Sequence, residues 1–106
     1  MSEGFIAYRG DPDFHDGKVV TVDHQGDTAR VVVKAESGRV LEVRFSGVDS
    51  LRNHSAEGMT LYALTEVEAP TPLRRFVFTN WDEEDDARLE VVALDFDWRD
   101  LPPATE

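Results

Sequence analysis

Alternation of apolar and polar residues is the feature that most constrains what this chain of 106 residues can fold into. In residues 28–36 every second side chain is apolar, and residues 39–46 repeat the pattern. Successive side chains of a β-strand point to opposite faces, so a period of two is typical of half-buried strands. Apolar residues at helical spacing are nearly absent from the chain. The alternation therefore predicts an all-β fold.

Short turn signals separate the alternating segments. Ser37-Gly38 joins two of them, and Gln25-Gly26-Asp27 joins two others. Glycine supplies the positive φ that tight hairpin turns need, so these neighbours should pair antiparallel. We expect an antiparallel meander of about six or seven strands, folded as a small barrel or a two-layer sandwich. The remaining alternating segments are residues 18–24, 59–69, 73–80 and 87–98.

Two segments depart from simple alternation. Residues 87–98 are apolar on both faces along their middle, which predicts a central strand or a barrel seam. Between Gly47 and Gly58 the apolar anchors Val48 and Leu51 are three residues apart, which predicts a short helical turn near residues 48–54.

Domain organisation follows from the absence of repeats and linkers in the sequence. Residues 1–106 should form a single β domain, since no stretch has the composition of a linker. The segment 101–106 follows the last predicted strand and should be a frayed tail.

The charge balance excludes several classes of function. The chain carries 22 acidic residues against 11 lysines and arginines, a formal net charge of −11. Such a field repels phosphate backbones, which disfavours nucleic-acid binding. Cysteine is absent, which removes thiolate metal sites and cysteine nucleophiles and suits a reducing compartment. No secretion signal or membrane-spanning run is recognisable, so we expect a soluble cytoplasmic protein without a cofactor.

An acidic run is the most unusual local feature of the sequence. Because it connects two predicted strands, it should form the tip of a hairpin. Five like charges stay hydrated and hinder unwanted strand pairing, which is reason enough for such a run. An aromatic side chain with a charged rim is also typical of a protein-binding hot spot. The residues are Trp81 followed by Asp82, Glu83, Glu84, Asp85 and Asp86.

Two functional hypotheses follow. The first is an acidic protein-binding module without catalytic activity, such as an inhibitor or immunity-type protein, whose partner is a basic protein. The alternative is a small β-barrel that binds a small molecule in an aromatic-lined cavity, with or without enzymatic turnover. The aromatic walls of that cavity would come from Phe76, Phe78, Phe96 and Trp98.

A cation site is a weaker hypothesis. Asp11, Asp13 and His15 offer oxygen and nitrogen ligands close together in sequence. They do not make a calcium loop, because Asp16 and Val22 occupy the positions where that loop needs glycine and a bidentate glutamate. A polar turn, in which aspartates bond nearby backbone amides, explains the segment more simply.

No catalytic residue is predicted. Asp95 and Asp97 share one face of the last predicted strand, at a separation of about 6.5 to 7 Å along it. That distance suits paired carboxylates in glycoside chemistry, but a strand whose inward face ends at the solvent after Ala93 accounts for the pair more simply. No nucleophile elbow or phosphate-binding glycine loop is present in the sequence.

Overall fold

The computed structural model describes residues 5–10, 12–82 and 84–101, and for Phe5 the backbone alone. Within these residues the chain forms nine strands and one short 3₁₀ turn, Pro12–Phe14. In chain order the strands are β1 Phe5–Arg9, β2 Lys18–Gln25, β3 Thr28–Lys34, β4 Val40–Ser46, β5 Ser50–His54, β6 Leu61–Val67, β7 Arg74–Asn80, β8 Arg88–Ala93 and β9 Asp95–Leu101.

The strands form two antiparallel sheets. One has five strands in the order β1-β6-β7-β8-β5, and the other has four in the order β2-β3-β4-β9. Phe45 of the four-stranded sheet contacts Phe76 and Phe78 of the five-stranded sheet, so the two layers share one hydrophobic core. The predicted all-β antiparallel fold is confirmed. Of the two architectures considered, the described strands adopt the two-layer form and do not close into a barrel.

The first three strands of the four-stranded sheet follow the sequence prediction closely. Gly26 and Gly38 have φ values of +58° and +98° in the two connections, and both hairpins are antiparallel. The residues predicted to face inward are buried, while most of their neighbours are exposed. Those inward residues are Ala29, Val31, Val33, Ala35, Leu41, Val43 and Phe45.

The helical turn predicted near residues 48–54 is wrong. Ser50–His54 forms β5, an edge strand that pairs with β8. Val48 and Leu51 both pack against the core, as anticipated, but they do so from an extended chain. A five-residue edge strand with Leu51 as its half-buried residue is too short to show a period of two. The 3₁₀ turn lies instead at Pro12–Phe14, where Phe14 is buried.

The segment 87–98 forms two strands and not one central strand. β8 lies between β7 and β5 in the five-stranded sheet, whereas β9 lies at the edge of the four-stranded sheet. Leu94 alone separates them, so the chain changes sheet there. Inward residues fall on odd numbers before Leu94, as Leu89 and Val91 do, and on even numbers after it, as Phe96 does. This shift of period explains why the segment reads as apolar on both faces.

The described strands number nine, more than the six or seven predicted, for reasons at particular places in the chain. β5 was predicted as a helical turn, and the division at Leu94 was missed. The opening segment Phe5–Arg9, which was not predicted as a strand, forms β1 beside β6. At the other end Leu101 belongs to β9 and pairs with Val40, and the remainder of the predicted tail, 102–106, lies outside the described residues.

Candidate functional site

The acidic turn, residues 82–86, connects β7 to β8 at the tip of an antiparallel hairpin, as predicted. Asn80 braces it from the end of β7. The Asn80 side-chain amide donates to the carbonyl of Ala87 at 3.1 Å, and its Oδ1 accepts from the backbone N–H of Asp82 at 2.9 Å. Both functional groups of one side chain therefore hold the two ends of the turn together.

Two of the carboxylates in the acidic turn stabilise the turn itself. Asp82 Oδ1 accepts from the backbone N–H of Glu84 at 3.0 Å, and Asp85 Oδ1 accepts from that of Ala87 at 3.2 Å. Such bonds to nearby amides are typical of aspartate in turns. Glu84 is exposed, Asp86 lies 3.4 Å from Nε2 of His54, and Glu83 lies outside the described residues. Among the described members of the acidic turn, Glu84 and Asp86 are thus the ones whose side chains make no bond to its backbone.

Trp81 lies beside the acidic turn on a fixed backbone. The backbone N–H of Trp81 donates to the carbonyl of Thr60 at 2.9 Å, which anchors the residue to the segment that leads into β6. Even so, 58% of the residue's surface is exposed. Burying an aromatic side chain of this size is favourable, so its exposure next to hydrated carboxylates is the composition expected at a binding surface.

The cation-site candidates have other partners in the structure. Asp13 Oδ2 accepts from Ser37 Oγ at 2.9 Å and from Arg39 Nη1 at 3.1 Å, which ties the 3₁₀ turn to the β3–β4 connection. His15 lies 3.3 Å from Asp16, and its ring meets that of Tyr62 edge-on. Asp11 lies outside the described residues, and the residues that the structure does describe hold no cluster of three histidine or acidic ligands. A cation site at these residues stays a prediction.

The four aromatic residues proposed as cavity walls do not form one wall. Phe76 and Phe78 are buried in the core, and the ring centroid of Phe76 lies 4.6 Å from that of Phe96. Trp98 packs separately, with its centroid 6.1 Å from that of Phe14. These rings fill the space between the sheets. Of the four, Phe96 also lines a depression at the surface.

A pair of exposed tyrosines was not predicted from the sequence. Tyr8 of β1 and Tyr62 of β6 are 61% and 44% exposed, and with His15 they line a shallow groove of 330 Å³. The hydrogen bond between the two phenol groups raises the pKa of Tyr8, and electrostatic repulsion between their ionised forms raises it further. No local pattern predicts the pair, because the partners lie more than fifty positions apart in the sequence.

Each sheet also holds one buried glutamate between two arginines. In the four-stranded sheet, Glu42 accepts from Arg30 of β3 and from Arg99 of β9. Burial acts to raise the pKa of Glu42, but the hydrogen bonds and positive charges of the two arginines outweigh it, and the net shift is downward. The carboxylate is therefore held ionised. Alternation placed Glu42 on the outer face, which is correct, but did not predict that it is only 2% exposed.

Glu66 is the corresponding residue of the five-stranded sheet. It accepts from Arg74 of β7 at 2.9 Å and from Arg9 of β1 at 2.8 Å. The guanidinium of Arg74 also lies over the rings of Phe76 and Phe96 at the end of the core. These contacts are explained by stability alone, so Glu66 is a structural residue.

Comparisons with known proteins complete the description. The helical structure within the described residues is neither long nor apolar enough to cross a membrane. Neither a protein-family model, nor a curated protein, nor a solved structure matches the chain. A function is therefore proposed from the geometry of the described residues.

Proposed function

We propose that this protein is a binding module that captures a basic protein partner through Trp81 and the acidic turn. The observation that carries the proposal is the 58% exposure of Trp81, whose backbone is nonetheless fixed by its bond to Thr60. Tryptophan is among the residues most enriched at binding hot spots, because its large apolar surface is removed from water on docking.

Pre-organisation of the turn supports this function. Binding is weakened by the entropy lost when loops become ordered, and that loss is smaller where the loop is already held. Here Asn80 and two aspartates supply the bonds that hold the turn. Glu84 and Asp86 are exposed, which leaves their charges available to a partner.

The charge of the whole chain supports a basic partner. The excess of acidic residues gives a field that accelerates the approach of a positively charged surface and repels other acidic proteins. Such steering weakens as salt screens it. The function is that of an inhibitor or immunity-type protein acting in the cytoplasm, in which binding is the activity and no reaction is catalysed.

The test compares partner capture by variants that leave the turn intact. Trp81→Ala should reduce the captured amount and affinity of a basic partner by at least about tenfold, because a hot-spot aromatic is lost. Glu84→Gln combined with Asp86→Asn should slow association and flatten its salt dependence. Capture from a lysate of the native host with mass spectrometry identifies the partner, and surface plasmon resonance then measures both rates.

Matched controls separate the site from general effects. Tyr8→Ala removes an equally exposed aromatic from another place, and Glu36→Gln with Glu68→Gln removes two exposed charges elsewhere. Both controls should bind as the wild type does. If Trp81→Ala captures the same proteins with unchanged affinity, or if the captured partner is acidic, the proposal is wrong.

A further inference from the structure

A depression of 480 Å³ lies on the four-stranded sheet, whereas the acidic turn belongs to the five-stranded sheet. Residues from all four strands, β2, β3, β4 and β9, line it. Its volume lies within the range of about 300 to 1,000 Å³ in which proteins bind small organic ligands. The depression is therefore a candidate site independent of Trp81.

A row of four charged residues crosses the depression. Strand register sets Asp23 opposite Arg30, Arg30 opposite Arg44, and Arg44 opposite Asp97. Residues directly opposite one another in neighbouring strands share a face of the sheet. With three interstrand spacings between its ends, the row spans about 14 Å.

Three members of this row have groups free to bind a ligand. Arg30 is engaged, because its guanidinium donates to Glu42. Among the described residues, the side chains of Asp23, Arg44 and Asp97 take part in no hydrogen bond or ion pair. The site thus offers a free guanidinium, which only donates, between free carboxylates, which only accept.

This arrangement selects the chemistry of the ligand. The free groups of Asp23, Arg44 and Asp97 sum to a net negative charge, and the chain as a whole is strongly acidic, so a phosphate or other anion is repelled. A hydroxyl group both donates and accepts, so a ring bearing several hydroxyls can donate to the aspartates and accept from the arginine at once. Gln25 extends the same capacity at the margin of the depression.

The depression lies on the outer face of the sheet, so its floor is polar. Phe96 borders it only through the strand, because its ring packs against Phe76 in the core on the opposite face. Placed polar groups fix the orientation of a ligand, and a sugar ring presents an edge of several hydroxyls to such groups. We infer that the depression binds a neutral saccharide, which donates to Asp97 and Asp23 and accepts from Arg44.

The test uses the full chain and a glycan array that carries both neutral and acidic saccharides. Binding to at least one neutral saccharide is expected, and calorimetry with that saccharide then gives the affinity. Arg44→Ala and Asp97→Asn should each weaken binding at least about tenfold, as loss of a charged hydrogen bond does. Arg52→Ala, which removes an exposed arginine from β5 of the other sheet, should leave the affinity unchanged.

Three results would overturn the inference: no neutral saccharide bound, binding confined to sulfated or sialylated glycans, or equal affinity in Arg44→Ala and the wild type. Arg44 is exposed, so its variant should fold, and a thermal melt followed by circular dichroism checks this. Trp81→Ala should bind the saccharide normally. Loss of partner capture and loss of saccharide binding are therefore separate outcomes, and either proposal can fail alone.

Discussion

Phe45→Ala should destabilise the protein by about 3 to 5 kcal/mol, a large part of the total stability expected for a domain of this size. Phe45 is 2% exposed and brings its ring from the four-stranded sheet to within 5.2 Å of that of Phe76 and 6.1 Å of that of Phe78, measured between centroids. Alanine would leave a cavity where the two layers meet. Equilibrium unfolding in urea, followed by tryptophan fluorescence, measures the loss.

Two further variants show whether the loss arises from the core. Phe45→Leu keeps much of the side-chain volume, so it should destabilise clearly less than alanine does. Tyr8→Ala removes an exposed ring whose phenol bonds Tyr62, and it should change the free energy of unfolding by less than about 1 kcal/mol. A free energy of unfolding for Phe45→Ala within about 1 kcal/mol of the wild type would contradict the packing described at this site.

Glu66→Gln should destabilise the protein by about 2 to 4 kcal/mol at neutral pH. The substitution keeps the shape of the side chain but removes the charge that Arg9 and Arg74 face. Breaking a buried pair by removing one partner costs about 3 to 5 kcal/mol, and the arginines here are roughly a third exposed, which reduces the penalty. Urea unfolding of both proteins at pH 7 gives the difference.

The same pair of proteins predicts a pH dependence. The hydrogen bond from Arg74 lowers the pKa of Glu66 and outweighs burial, which acts to raise it; the bond from Arg9 lowers it further. A carboxyl whose pKa is depressed by folding contributes stability that is complete above its ordinary value of 4.5 and is lost as the pH falls below it. The advantage of the wild type over Glu66→Gln should therefore shrink between pH 5 and about pH 3.

Glu36→Gln provides the control for this effect, because Glu36 is an exposed glutamate in the connection between β3 and β4. It should change the free energy of unfolding by less than about 0.5 kcal/mol at both pH values. An advantage of the wild type over Glu66→Gln that is as large at pH 3 as at pH 7 would show that the ionised carboxylate is not the source of the stability.

Alternation and glycine turns predicted the parts of the fold that depend on residues close together in the sequence. The hairpins around Gly26 and Gly38 follow from glycine turns between alternating strands, and their inward residues are buried. The division at Leu94 could not be predicted, because a strand that changes sheet and a central strand both present apolar residues on two faces. The edge strand around Leu51 is too short to carry a periodic signal.

The candidate sites show the same limit. A hairpin tip at residues 82–86 could be predicted, since two alternating segments flank the acidic run. The sequence could not show which acidic residues bond to the backbone of the turn, as Asp82 and Asp85 do, and which stay exposed, as Glu84 and Asp86 do. Arg44 and Asp97 lie more than fifty positions apart, and only the register of β4 against β9 brings them together.

Glu42 has a consequence for how the last strand finds its place. β9 must dock on β4 after most of the chain has been made, and Phe96 and Trp98 would still face inward if it slipped by two residues. Such a slip would set Asp97 or Leu101 opposite Glu42, whereas the native alignment sets Arg99 there. Arg99 is the sole basic residue of β9, so the native alignment alone adds a second arginine to Arg30, which already donates to Glu42 from β3. We expect Glu42 to favour the native register of β9. A register shifted by two residues would keep the hydrophobic contacts but would leave the buried carboxylate without Arg99.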